Sequence, residues 1–451
     1  MSEQTRPASP RIDRRGFLKI GGAVGAAAAT GGLQAILAAG RAPAHAQGTQ
    51  IHLLQWVDFI PEGDAELRRQ AAEYTAHTKV EVRIESINAN DLQARITAAI
   101  QSGTGPDIIL MMHNWPHLYA SALADVSDLC EWKAKDQGGY YAVSEAAARA
   151  GKRWLALPYG TGGILIAYRK SWFAAVGAAQ PPRTLDEYRK VGAALKKTGR
   201  PVGQTLGHTF GDAPAWSYPL LWTFGGAETD ATGKRVVLDS KGTMESVKWM
   251  TAFWNEACDE GALAWDDTNN NRAFHANEIS ATLNGASIFI YARRNPEKIK
   301  DERGQPMAQD IGHFPIPAGP RGPTPSYNVA FSHALMKYSR NQRAAKEFLR
   351  WLHAKEQFGK WFEIETGYSI GATTYWERHP MWDKVDAALQ PFRVAVRNSR
   401  MIGYAGTPTA KASEALTKYV ITDMYAKAVQ GMPPAEAVRW AEAELKKIYE
   451  G

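Results

Sequence analysis

Between residues 51 and 120 the sequence alternates strand-like and helix-like hydrophobic periods, and few folds accommodate that rhythm. "IHLLQWVDF" (51–59) reads as a strand running into a loop. Residues 64–77 place Leu67, Ala71 and Tyr74 on one helical face. "VEVRIESI" (80–87) alternates imperfectly, as a strand does, and Asp91 can cap a helix carrying Leu92, Ile96 and Ile100 that Gly103 ends. Residues 107–112 then form a nearly continuous apolar run, the pattern of a strand covered on both faces. Pro116 suits the first turn of a further helix. The succession predicts an α/β fold with a largely parallel sheet.

The apolar run stops abruptly at His113, Asn114, Trp115, Pro116 and His117. A metal site, a ligand clamp and a plain polar turn all fit such a junction. The metal reading is weak, because Pro116 starts the helix after His113 and no Glu lies between the two histidines. No metal is expected elsewhere, since the other histidines are scattered and no CxxC occurs. Catalytic signatures are also lacking. There is no G-x-S-x-G elbow and no P-loop, and "YGTGGI" (159–164) spaces its glycines too closely for G-x-G-x-x-G. Glu363 and Glu365 alternate on a helix, where acids are usually solvated. No cofactor is expected.

The first 46 residues stand apart. A basic start, a Gly/Ala-rich middle and Ala44-His45-Ala46 indicate a secretory signal cleaved before Gln47. Arg14-Arg15-Gly-Phe-Leu-Lys resembles the twin-arginine export motif, whose pathway carries folded proteins. An uncleaved anchor over 20–40 is the alternative. The signal also explains the charge. The whole chain carries a formal +7, but six Lys and Arg and only two acids lie before residue 47, so the remainder is near neutral and lacks the basic block of a nucleic-acid binder. Cys130 and Cys258 make no disulfide framework, and free buried thiols are expected.

In open α/β sheets ligands sit beyond the carboxyl ends of strands. Trp56 and Asp58 follow the first strand, Asn88 the second, and His113, Asn114 and Trp115 the third. Tyr159 and Thr161 occupy a Gly-rich break between two further strands. Asn, Asp and His pair with hydroxyls, and aromatic faces cover apolar ring surface. Each residue taken singly also fits a packing or turn role. Their shared position favours a ligand cleft.

Six stretches carry a family resemblance: "SGTGPDIILM", "LALPYGTGGILIAYRKSWFAAVGAAQPPRTLDEY", "FHANEISATLNGASIFI", "IGHFPIPAGP", "AAKEFLRWLHAKEQFGKW" and "GMPPAEAVRWAEAELKKI". In this order they resemble the periplasmic solute-binding proteins of ABC importers, the large group that includes the maltose-binding protein. The resemblance covers essentially all of residues 50–451. It implies the two-lobe periplasmic-binding-protein fold (type II), each lobe a mainly parallel sheet flanked by helices with the cleft between. It assigns 47–158 plus 322–373 to the first lobe and 159–321 plus 374–451 to the second. It further implies a periplasmic monomer that closes on a small solute, a sugar or polyol, and delivers it to a membrane permease and its ATPase. Asn284 of the Asn-Gly pair, Tyr327 and Asn328 of "SYNVAFS", and Trp216, Trp222 and Tyr368 join the candidate site. Where many relatives carry a stacking Trp after that pair, Ser287 stands here. A twin-arginine-exported hydrolase on a similar fold is the alternative function.

Overall fold

The computed structural model describes residues 48–451, so the predicted export signal lies outside the described residues. The first strands arise as the periodicity requires. β1 (Gln50–Trp56), β2 (Glu81–Ile87) and β3 (Ile108–Met112) run parallel, with β1 in the middle. Helices Pro61–Thr78 and Leu92–Ser102 connect them. Asp91 makes no cap bond. Asn88 does the capping, its side-chain oxygen accepting from Asn90 N at 2.9 Å to start a 3-10 turn over Ala89–Asp91.

A short hairpin, β4 (Arg149–Ala150) and β5 (Arg153–Trp154), precedes β6 (Leu157–Gly162). The chain then leaves this sheet. β7 (Leu165–Arg169), β8 (Ala281–Asn284) and β9 (Ile311–Phe314) build a second sheet of three strands in the order β8-β7-β9. β10 (Val329–Leu335) and β11 (Ser369–Gly371) return to the first, completing the order β11-β6-β10-β3-β1-β2. Two sheets joined by crossing segments form the two-lobe fold.

Strand direction departs from the expectation of mainly parallel sheets. β10 is antiparallel to both β3 and β6, β11 is antiparallel to β6, and the three-stranded sheet is antiparallel throughout. The reason is connectivity. β10 returns from the second lobe after β9, so no crossover on the first sheet ties its direction to β3 or β6, and β11 follows β10 through two helices, runs the same way and so also opposes β6.

Local signals set the second lobe's helices. Thr184 and Glu187, in the spacing T-x-x-E, form a capping box at the start of helix Leu185–Lys197. Gly192 on that helix lets helix Lys241–Ala257 approach closely, since a Cβ there would lie 2.7 Å from Ala257 Cβ. Ala412, Leu416, Val420, Met424 and Ala428 recur at steps of four as in one helix, but the chain forms two, Ala410–Thr417 and Val420–Val429, because Tyr419 takes a left-handed φ of 53°. Helix Pro434–Tyr449 buries Val438, Ala441, Leu445 and Ile448 as its period predicts. Among the described residues, no helix is long and apolar enough to cross a membrane.

Three segments cross between the sheets. Residues 162–165 lead from β6 to β7, and a Cβ on Gly163 would lie 2.8 Å from Phe392 and 2.9 Å from Ile370. The Pro/Gly-rich stretch after β9 leads back to β10. The last passage follows Trp376 and Trp382, which pack with Phe362 in the first core, and reaches β9 where the Ala388 carbonyl accepts from His313 Nδ1 at 2.8 Å.

Candidate ligand-binding site

Trp56 closes β1 and becomes the hub of an aromatic cluster. Its ring centroid lies 5.7 Å from Phe59, 5.3 Å from Phe210, 5.4 Å from Phe331 and 6.3 Å from Tyr368. Four stretches of chain supply these rings. Phe210 comes from a second-lobe loop, so the cluster spans the two sheets. The ladder between β10 and β6 is irregular at Phe331/Ser332, a device that re-aims side chains.

Two adjoining cavities share Trp56, Phe331 and Tyr368 as a common wall. The first, with about 30 Å³ of free space, continues towards the second lobe past Asp212, Asp267, Asn284 and Ser287. The second, with about 10 Å³, lies within the first lobe beside Asp58, Asp64, Tyr159, Trp361 and Glu365. Free space of this order holds one or two water-sized groups, so a larger solute needs the lobes to part.

The second-lobe acids are tightly built. Asp267 accepts from Asp212 N at 2.8 Å and Gly211 N at 3.1 Å, holding the start of helix Asp212–Thr223. Asp212 Oδ2 accepts from Asn270 Nδ2 at 2.6 Å and from Asn284 Nδ2 at 3.3 Å. Burial raises both acids, Asp267 to about 6 and Asp212 well above the carboxylate range, each helped by a neighbouring Asp.

The first-lobe acids are less satisfied. Asp58 accepts from Ile60 N at 2.9 Å, and burial raises its carboxyl to about 7. Asp64 accepts from Gln55 Nε2 at 2.7 Å. Glu365 is 0 % exposed and neither carboxylate oxygen has a hydrogen-bond partner. Burial drives its pKa well up, and Asp58 adds to the rise. The buried Tyr159 hydroxyl is likewise unpartnered.

Of the residues singled out from sequence, Trp56, Asp58, Tyr159, Asn284 and Tyr368 line these cavities. The others meet different surroundings. Asn88 is an exposed turn cap. His113 has a left-handed φ of 54°, and its Nδ1 lies 2.6 Å from the Tyr327 hydroxyl. Burial lowers its pKa to about 3, so the imidazole is neutral. Asn114 Nδ2 donates to Thr409 O at 3.1 Å, and Trp115 packs edge-on to His113. β3 therefore delivers this triplet to the seam between the lobes, behind the cavity wall. His117 turns away and donates to Ala146 O at 2.9 Å, so the two histidines share no ligand geometry. Among the described residues, no group of three or more His, Cys, Asp or Glu is placed to hold a metal ion.

Thr161 is buried on β6, 3.4 Å from Ser144 Oγ. Trp216 lies in the second-lobe core, stacked on Phe253 at 5.7 Å. Trp222 packs with Tyr218, Tyr327 and Tyr404.

Asn328 staples the crossing segments. Its oxygen accepts from Ile164 N at 3.1 Å, and its amide nitrogen donates to Ser399 Oγ at 2.6 Å and Ala395 O at 3.2 Å. Asn328→Ala should lower the unfolding free energy by on the order of 3 kcal/mol, read by urea denaturation, because it strands the Ile164 amide. An unchanged midpoint would remove this role.

The sequence reading missed Phe59, Phe210, Phe331, Asp212, Asp267 and Glu365. A usable signal existed for Glu365. It continues the stripe of Phe358, Trp361 and Phe362 on helix Lys355–Glu365, and an acid on a buried face is rarely solvated.

Two sheets, three crossings and an aromatic, acid-lined cleft between them define a two-lobe binding protein. Residues 60–357 match the model of the bacterial extracellular solute-binding protein family, and the chain belongs to that family. Residues 11–31 match the twin-arginine translocation signal, so it is exported to the periplasm. The chain is 23% identical to the maltotriose-binding protein of Pyrococcus abyssi, covering 69% of this chain and 65% of that protein. It is also 23% identical to the erythritol/L-threitol-binding protein of Mycolicibacterium smegmatis, covering 80% and 81%. Maltose-bound MalE3 of T. maritima superposes with a TM-score of 0.74 at 18% identity, covering 89% of this chain and 100% of that one. A solute-binding protein from Agrobacterium radiobacter K84 in complex with ribitol gives 0.71 at 19% identity, covering 89% and 99%.

Proposed function

We propose that the protein is the substrate-binding component of an ABC importer, a monomer that captures a small carbohydrate or related polyol by lobe closure and presents it to a membrane permease and its ATPase. The lobes follow the outline 47–158 plus 322–373 and 159–321 plus 374–451, with two adjustments: β6 to Gly162 and the stretch through Trp382 go with the first lobe. The carrying observation is the paired cavity at the ends of β1 and β10, where flat aromatic faces alternate with carboxylate and amide groups. Aromatic faces cover the C–H surface of a sugar, and the acids and amides take its hydroxyls. Relatives named for maltotriose and for erythritol/L-threitol support the same solute class. No bond is made or broken in this cycle. The hydrolase alternative has no comparable support, since the matched family is one of solute-binding proteins.

Thermal-shift screening of the mature protein against sugars and polyols tests the reading. A bound solute at a hundredfold excess over Kd should add about 2.7 kcal/mol of stability and return unmodified in native mass spectrometry. A panel without any shift, or a solute returned cleaved, counts against it.

A further inference from the structure

We propose that the solute carries a positive charge, as in an amino sugar or amino polyol, and that its ammonium group sits against Glu365 and Asp58 within the aromatic walls. This rests on the cleft being the solute site.

Five carboxylates line the two cavities: Asp58, Asp64 and Glu365 in the first lobe, Asp212 and Asp267 in the second. No Lys, Arg or His lines either cavity among the described residues. The nearby cations are engaged elsewhere. Arg294 donates to Glu62 at 2.6 Å and to Ile364 O at 2.7 Å. Arg68 donates to Ile84 O at 3.2 Å and to Ser86 Oγ at 2.9 Å.

Glu365 supplies the independent observation. It is fully buried, lines the cavity, and leaves both oxygens without a partner. A buried acid in that state is costly unless something arrives to pair with it. A hydroxyl would satisfy one oxygen of Glu365 but leave it beside Asp58 and Asp64 in a low-dielectric cavity that has no cation in its lining. Tyr368 registers that field, because Asp58, Glu365, Asp212 and Asp267 all add to the burial that raises its phenol. A monovalent organic cation answers both needs. Its charge pairs with the acids, and its C–H surface meets Trp56, Phe331 and Tyr368, whose faces attract cations. A bare metal ion does not fit, since the acids lack metal-binding geometry.

The test is isothermal titration calorimetry of the mature protein with matched pairs: glucosamine against glucose, the glucosamine disaccharide chitobiosamine against cellobiose, and 1-amino-1-deoxysorbitol against sorbitol. Spermidine and choline serve as amines without a sugar frame. The amine of at least one pair should bind a hundredfold or more tighter than its neutral partner. Glu365→Gln should cut that preference at least tenfold, and Asp58→Asn provides a second variant should the first fold poorly. A neutral member binding as tightly as its amine overturns the charge while leaving the sugar reading intact. Binding of spermidine or choline alone keeps the charge and removes the sugar. Failure of every amine overturns the inference whatever the neutral members do.

Discussion

Replacing Trp56 by Ala should weaken solute binding at least a hundredfold, read by calorimetry, while Trp216→Ala should leave affinity unchanged. The two substitutions remove the same side chain from equally buried positions, at 3 % and 0 % exposure. Each should cost about 3–5 kcal/mol of stability, because large aromatic truncations leave a cavity that the surroundings fill only in part. Of the two tryptophans only Trp56 lines the cavities, and it packs with Phe59, Phe210, Phe331 and Tyr368 around them. Trp216 touches Phe253 and Trp249 in the second-lobe core. Equal losses of affinity would show that the cleft is not where the solute sits.

Glu365→Gln should stabilise the unliganded protein increasingly as pH rises from 5 to 8. Burial raises the Glu365 carboxyl well above its ordinary 4.5. A carboxyl with a raised folded pKa holds its proton in the folded state after the unfolded chain has released it. Its contribution to stability is therefore present at low pH and lost as pH climbs, by up to about 1.4 kcal/mol for each pH unit between the unfolded and folded values. The neutral amide does not titrate, so the melting temperatures of variant and parent should nearly coincide at pH 5 and separate by pH 8. Asp58, Asp64 and Glu62 push in the same direction and Arg294 opposes them. A constant gap across this range would mean that Glu365 does not titrate there.

What the sequence made legible follows from how far each signal reaches. β1, β3, the Thr184 capping box and helix Pro434–Tyr449 depend on residues a few positions apart, and their patterns are explicit. The destinations of side chains at strand ends depend on which lobe comes to face them. His113, Asn114 and Trp115 share the position of Trp56 at a strand end, yet they face Tyr327 and Thr409 across the seam. Asn328 has the composition of a ligand contact and the surroundings of a hinge, because Ile164 and Ser399 converge on it from distant parts of the chain. Phe210 had no local mark at all. It matters through its contact with Trp56, which exists only once the lobes are joined.

The two thiols are both free and both fully buried, Cys130 in the first core and Cys258 in the second. Neither is open to reagents, and burial keeps each protonated. The sequence contains no other cysteine. A cysteine placed at Val57, which is 53% exposed and lies between the cavity-lining Trp56 and Asp58 in the chain, would thus be the sole thiol a dye could label. The native fold already supplies the silent background that an optical reporter of solute capture requires.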